Sequence, residues 1–185
     1  MKYFTSDTHF NHYGLLKTFS GGQESGIREF KNVKEMNETM IYHWNSKVKN
    51  GDLVYHLGDF AFPPKVDGTP VNEILDKLNG QIYLIKGNHD DKFDNIKLFE
   101  NHPKIIKIVD LAYMKLSNKQ RVMLCHYPMC SWRASCHGSW HLYGHCHGSF
   151  NHPSIYAIDV CVETNDYFPY SEIEIINIFK HRTEK

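Results

Sequence analysis

The chain has no excess of either charge. Lysine plus arginine equals aspartate plus glutamate, at 21 each. No broad basic field is therefore available to grip a long nucleic acid by its phosphates, which argues against a duplex partner and leaves only a local basic pocket. No apolar run approaches the roughly 20 residues that span a bilayer. The opening MKYFTSDTHF lacks the apolar core of a secretion signal and the character of a transit peptide. The five cysteines form no paired framework, and an odd count fits free thiols in a reducing compartment. These absences give the expectation of a cytoplasmic protein with no membrane partner. Internal repeats, low-complexity tracts and linkers are missing too, so residues 1–185 read as one domain, long enough for a real core.

Histidine is what the chain has in surplus, with 13 copies. Three fall within HLYGHCHGSF, residues 141–150. The surrounding pattern gives them a context. KYFTS reads as a short strand delivering Asp7. From Asn32 to Lys49 the residues Val33, Met36, Met40, Trp44 and Val48 recur at helical spacing, with Asn32 and Glu35 as a capping box and Gly51 as a stop. DLVYHLGD is a buried strand ending at Asp59, VNEILDKLNG a helix closed by Gly80, and IYLIKGNHD a strand running into Gly87. KIIKIV and AYMKL follow, and SNKQ turns into RVMLCHYP, a strand ending at His126. SIYAIDVCV reads as a late strand and SEIEIINIFK as a helix capped by Ser171 and Glu174. Strand and helix alternate first and strands dominate later, which predicts an α/β protein with helices outside two sheets.

Asp7 with His9, Asp59, Asn88 with His89, His126, and His145 with His147 each follow a strand-like run. Polar groups at the C-terminal ends of neighbouring strands converge in an α/β sheet. Buried carboxylates and imidazoles are costly there unless paired or bound to metal. Mixed oxygen and nitrogen donors suit Mn, Fe, Co, Ni or Zn, not calcium. The set is large enough for two ions. Asp7, His9, Asp59 and one distal histidine suffice for the first. Asp59, Asn88, His126 and another distal histidine suffice for the second, with Asp59 shared. Two cations about 3.5–4 Å apart clamp a phosphate and ionise a water between them. One Asp or His at a strand end is usually a capped or solvated group; the ordered set is what points to metal chemistry. Glycine before Asp59, Asn88 and His145 lets the backbone turn sharply beside the ions.

SDTH, HLGDF, KGNHD, LCHYP and YGHCH resemble, in order, the five motifs of the calcineurin-like metallophosphoesterase superfamily. EMNETMIYHWN, VYHLGDFAF and GSWHLYGHCHG also resemble a subgroup of small stand-alone phosphoesterases. Each motif alone is weak; five in order, from about residue 3 to residue 148, are specific. The resemblance implies a two-sheet ββ sandwich flanked by helices and a site for two divalent transition-metal ions. It implies Asp7, His9, Asp59 and His147 as ligands of one metal, and Asp59, Asn88, His126 and His145 of the other. His89 would donate a proton near the leaving group, making His89, Asn88 and Asp59 the expected catalytic set. The reaction implied is phosphate-ester hydrolysis by in-line attack of a metal-bridging hydroxide, with inversion at phosphorus. Two departures narrow the branch. FAFPP stands where the protein serine/threonine phosphatases carry valine-aspartate-arginine-glycine, and Phe62 stands where purple acid phosphatases carry a tyrosine ligand.

Asp90 is expected to orient His89 or its loop. Arg28, Arg133 and His137 are the candidate substrate contacts, since a guanidinium can fork onto a phosphate. His12, His56 and His141 lie close in sequence to ligands, either supporting them or lining the cleft. Trp132, Trp140 and Tyr143 would stack a base or, the commoner role, pack the core. Cys125 and Cys146 should point away from the metals if their segments alternate. The expected substrate is small and phosphorylated, a nucleotide or cyclic-nucleotide diester, with a phosphomonoester as the alternative. A non-catalytic scaffold on the same fold conflicts with the retained His89. A zinc-stabilised binding module conflicts with the lack of any C-x-x-C pair.

Overall fold

The computed structural model describes residues 1–20, 23–92 and 95–183. Gly21 and Gly22, in the glycine-rich loop before Arg28, lie outside the described residues.

Strand β1 (Lys2–Thr5) sends Tyr3 and Phe4 to opposite faces, into two different cores. β2 (Thr18–Ser20) and β3 (Gln23–Ser25) form a separate antiparallel ribbon that periodicity does not announce. Helix α1 (Val33–Lys47) follows the spacing of its apolar residues, with Val33, Met36, Met40 and Trp44 buried. Its first turn is capped by Asn32, which accepts from the Glu35 N–H at 2.9 Å. The Glu35 carboxylate reaches back to the Lys31 N–H, one residue short of a full capping box. The helix stops at Lys47, before the glycine expected to end it.

β4 (Leu53–His56), α2 (Val71–Lys77), β5 (Gln81–Ile85), α3 (Asn95–Asn101) and β6 (Ile105–Val109) then alternate. Strands β1, β4, β5 and β6 run parallel in one sheet. The second sheet comprises β7 (Leu111–Lys115), β8 (Arg121–Cys125), β9 (Trp140–Tyr143) and β10 (Ala157–Asp159). Its last three strands are parallel and β7 is antiparallel. β11 (Tyr170–Ser171) returns to pair antiparallel with β1, and α4 (Glu172–Thr183) follows. The sheet orders are β11-β1-β4-β5-β6 and β10-β9-β8-β7.

This is the α/β architecture expected, with two mixed sheets and four α-helices, beside the β2–β3 ribbon, among the described residues. One core lies between the first sheet and α1, α2 and α3, around Trp44, Val54, Ile74 and Ile82. The other lies between the sheets, where Phe4, Leu57 and Ile85 meet Val122, Leu124 and Leu142, and α4 adds Ile175 and Phe179. The outer face of the second sheet is covered by loop residues, Trp132 among them, instead of a helix. Helix α4 carries the expected cap in full: Ser171 N–H donates to Glu174 at 2.7 Å, and the Glu174 N–H donates to Ser171 Oγ at 3.3 Å.

The late strand is shorter than SIYAIDVCV implied. It covers only Ala157–Asp159. The chain then crosses between sheets, since Cys161 bridges Ser6 and the Val162 N–H donates to Ser6 O at 3.1 Å. A 3-10 turn at Val162–Asn165 follows.

Candidate metal centre

Parallel pairing places the ends of β1, β4 and β5 side by side, and those of β8 and β9 facing them. Asp7 and His9 follow β1, Asp59 follows β4, and Asn88 and His89 follow β5. His126 follows β8, and His145 and His147 follow β9. Asp7, His9, Asp59, His145 and His147 all take left-handed backbone, with φ of 57, 47, 56, 71 and 48°. Non-glycine residues rarely adopt this region, and such strain concentrates at functional sites.

Gly58, at φ +97°, supplies the turn expected before Asp59. Gly144 is needed for a different reason. A Cβ there would lie 2.4 Å from Asp7 Oδ2, so glycine lets the loop approach the carboxylate.

The donor atoms converge. His9 Nε2 lies 3.5 Å from both Asp7 Oδ1 and Asp59 Oδ2. His126 Nε2 lies 3.5 Å from the same Asp59 oxygen and 3.1 Å from Asn88 Oδ1. His147 Nε2 lies 3.6 Å from Asp7 Oδ1. Asp59 Oδ2 thus lies within 3.5 Å of both the His9 and the His126 imidazole. Two groups have donor atoms mutually within 4.8 Å: Asp7, His9 and His147, and Asp7, Asp59 and His126. The His145 ring stands edge-on to His126, with centroids 5.2 Å apart, and is exposed.

Hydrogen bonding fixes what these atoms offer. His126 Nδ1 donates to Leu57 O at 2.7 Å, so its Nε2 carries a lone pair aimed at two acceptor oxygens. His147 Nδ1 meets Glu163 Oε1 at 2.9 Å, leaving its Nε2 toward Asp7. Asp7 Oδ1 and His9 Nε2 are buried without any hydrogen-bond partner. Lone pairs facing lone pairs in a buried cluster are repulsive unless a cation lies between them, so these residues fit divalent metal. Burial acts to raise the Asp7 carboxyl, but positive charge on the imidazoles of His9, His126 and His147, when they are protonated in place of a cation, outweighs it and holds it well below the usual range. Burial pulls the His9 imidazole down.

A second layer locks these atoms in place. Glu163 Oε1 accepts from His147 and from Arg28, at 2.8 Å from Nε and 2.7 Å from Nη2. Arg28 also donates to the carbonyls of Asp7 and Thr8, at 2.6 and 2.7 Å. Asp7 Oδ2 accepts the His145 N–H and the Cys161 thiol, both at 2.9 Å. Asp90 is fully buried and accepts from the N–H groups of Asp59, Gly87 and Phe60. It therefore fastens the Asp59 loop to its own loop and does not reach the His89 ring. Burial, assisted by Asp59, pushes the Asp90 carboxyl up to about 6 against those three donors.

Three expected substrate contacts lie elsewhere. Arg28 is 0% exposed and enclosed by Glu163 and backbone carbonyls, so it supports His147 and does not meet solvent. Arg133 stacks its guanidinium over Tyr113, 4.6 Å from the ring centroid. Tyr113 belongs to the cluster on the outer face of the second sheet. His137 lies before β9, lining a cavity with Lys119 and Arg121, at the opposite end of the sheet from His126 and His145. Loop position in sequence carried no information about which face or end these residues would occupy.

Trp140 stacks on Phe179 at 4.1 Å, and Trp132 and Tyr143 are buried, so these rings are packing groups. His56 is buried under the site with Thr8. His141 is buried beneath Trp132. His12 faces the cleft beside His9, their Nδ1 atoms 3.3 Å apart. Glu163 and Asp159 lie outside the five motifs. Asp159 accepts the N–H groups of Gly148 and Cys161, at 2.9 and 2.8 Å, and so ties down the GHCHG loop. The signal was available for Asp159, which ends a strand as Asp7 and Asp59 follow theirs.

Comparison with known proteins gives the family. The model of the calcineurin-like phosphoesterase family matches residues 3–178, and the chain belongs to that family. An uncharacterized protein of Methanocaldococcus jannaschii is 33% identical over 184 residues, spanning 96% of this chain and 90% of its own length. The crystal structure of a protein of unknown function from Aquifex aeolicus superposes with a TM-score of 0.69 at 25% identity, covering 96% of this chain and 98% of that one. None of the described helices is long and apolar enough to cross a membrane.

Proposed function

We propose that the protein is a phosphodiesterase that hydrolyses a small nucleotide or cyclic-nucleotide ester at two divalent transition-metal ions. The observation that carries this reading is the convergence of Asp7, His9, Asp59, His126 and His147 with buried lone pairs facing one another. One ion would be held by Asp7, His9, Asp59 and His147, the other by Asp59, Asn88, His126 and His145. Bound there, the ions supply Lewis-acid charge and lower the pKa of a coordinated water to about 7.

The chain's own groups do the rest. Asn88 turns Oδ1 toward His126, which leaves its amide N–H groups to hold a phosphoryl oxygen. His89 lies at the rim of the cluster, with Nε2 3.9 Å from Asp59 Oδ2. From there it delivers a proton to the departing oxygen, a contribution of roughly 10²–10⁴-fold. Arg28, Glu163 and Asp90 hold ligands and loops in register.

The test uses metal-stripped protein resupplied with Mn, Ni, Co, Fe or Zn. Hydrolysis of bis-(p-nitrophenyl) phosphate is compared with that of p-nitrophenyl phosphate. Metal-restored diester cleavage, abolished by Asp59→Asn and strongly reduced by His89→Ala, is the expected result. Preference for the monoester would replace the diester reading, and folded protein inactive with every metal would overturn the hydrolase.

A further inference from the structure

On the proposed function the leaving group departs past His89, and the structure has a cavity on that side. Phe62 stands 5.0 Å from the His89 ring and stacks on His12 at 3.8 Å, with an interplanar angle of 15°. His12 in turn stands 5.1 Å from His9. A cavity of about 600 Å³ opens against this stack, lined by Asn11, His12, Tyr13, Gly14, Phe62, Pro63 and Lys65. Its walls are flat and mainly apolar, and no carboxylate lines them among the described residues. Lys65 supplies the cationic charge.

The walls are also pinned. Asn11 takes left-handed backbone at φ 66°. Its side chain donates to the carbonyls of Phe62 and Thr69, at 3.1 and 2.8 Å, and accepts from Asn37 at 2.8 Å. One buried amide therefore fixes the His12 loop, the Phe62 loop and α1 relative to one another. Tyr13 is 59% exposed and lines the cavity. A larger cavity, of about 740 Å³ beside Tyr143, Phe150 and Arg182, borders none of the candidate ligand side chains.

We infer that the cavity walled by His12, Tyr13 and Phe62 is a binding subsite for a flat aromatic portion of the leaving group, of which a nucleobase is the biological form. The inference rests on the phosphoesterase reading and adds to it which side of the centre the base occupies. The preformed ring stack favours a planar group over a flexible alkyl chain, since little ordering is needed on binding. The apolar lining with Lys65 beside it suits an anionic phosphate ester entering with its base first.

The test is calorimetric binding of adenosine 5′-monophosphate against ribose 5-phosphate to the Mn-loaded protein. The two share sugar and phosphate and differ by the base. About tenfold tighter binding of the nucleotide is expected, a difference of roughly 1.4 kcal/mol. Phe62→Leu should reduce that ratio toward one without weakening ribose 5-phosphate. Tyr13→Ser is the second variant, because its exposed side chain can be lost without disturbing the fold. Equal affinity of the two ligands for the unaltered protein would overturn the subsite. So would a ratio that survives both substitutions. Hydrolysis of the chromogenic diester by the same preparation reports separately whether the phosphoesterase reading stands.

Discussion

A carboxylate that no sequence motif marks holds one of the imidazoles of the candidate centre. Glu163 fixes the proton of His147 on Nδ1 and so keeps Nε2 directed at Asp7. Arg28 balances its charge inside the protein. Partners of this kind orient a metal-binding histidine and typically contribute 10–100-fold in affinity. Glu163→Gln should therefore weaken Mn binding by about that factor in calorimetry, while far-UV circular dichroism stays unchanged; unaltered affinity would remove Glu163 from this role. The cysteines offer a second test. Cys130 and Cys136 are exposed, whereas Cys161 is buried. Burial, aided by Asp7 and Asp159, pushes the Cys161 thiol far above its ordinary range. A thiol reagent should label Cys130 and Cys136 quickly in native protein and Cys161 only after unfolding. Mass spectrometry of the labelled peptides checks this.

Helix ends are where local chemistry and fold agree most closely. The Ser171–Glu174 pair that caps α4 also joins Lys47 of α1, whose ammonium reaches Glu174 at 2.7 Å. Ser171→Ala should cost about 1 kcal/mol in urea unfolding, the usual contribution of an N-cap. A loss below about 0.3 kcal/mol would show that the Lys47 contact and packing hold the helix alone. The same locality explains what could be read from the sequence. Asp7, Asp59, Asn88, His126 and His145 were visible because each closely follows a run whose strand character is local. The segment after Ser154 was not, because its apolar letters merge three different conformations into one apparent strand. The buried place of Arg28 is not legible locally, because its partner Glu163 lies 135 residues away, a pairing no local pattern encodes. The β2–β3 ribbon is not legible because its short strands carry no alternation.

Acid stability is a property of the molecule as a whole. His56 is buried neutral. Its Nδ1 accepts the Gly58 N–H at 3.2 Å, and its Nε2 meets Thr8 at 3.0 Å. Burial holds it at about 3 and His141 at about 4. Both stand below the unfolded value of 6.5, so their contribution is complete above pH 6.5. It is lost as pH falls toward 4, because only the unfolded chain gains the protons. Each contributes at most about 1.4 kcal/mol per pH unit in that window. Asp90, raised to about 6, acts with the opposite sign and blunts the slope. Unfolding free energy measured in urea should fall between pH 6.5 and 4, and less steeply in His56→Gln; equal slopes would show that His56 is protonated in the native protein.

The division of the centre between two sheets also has a consequence in time. A chain emerging from the ribosome carries Asp7, Asp59 and Asn88 well before it carries His126, His145, His147 and Glu163. A nascent polypeptide therefore holds only part of the centre. On the proposed function, translation itself keeps the unfinished product silent toward the cell's phosphate esters, and a chain ended by a stop codon after residue 144 should cleave no chromogenic diester at any stage of its life.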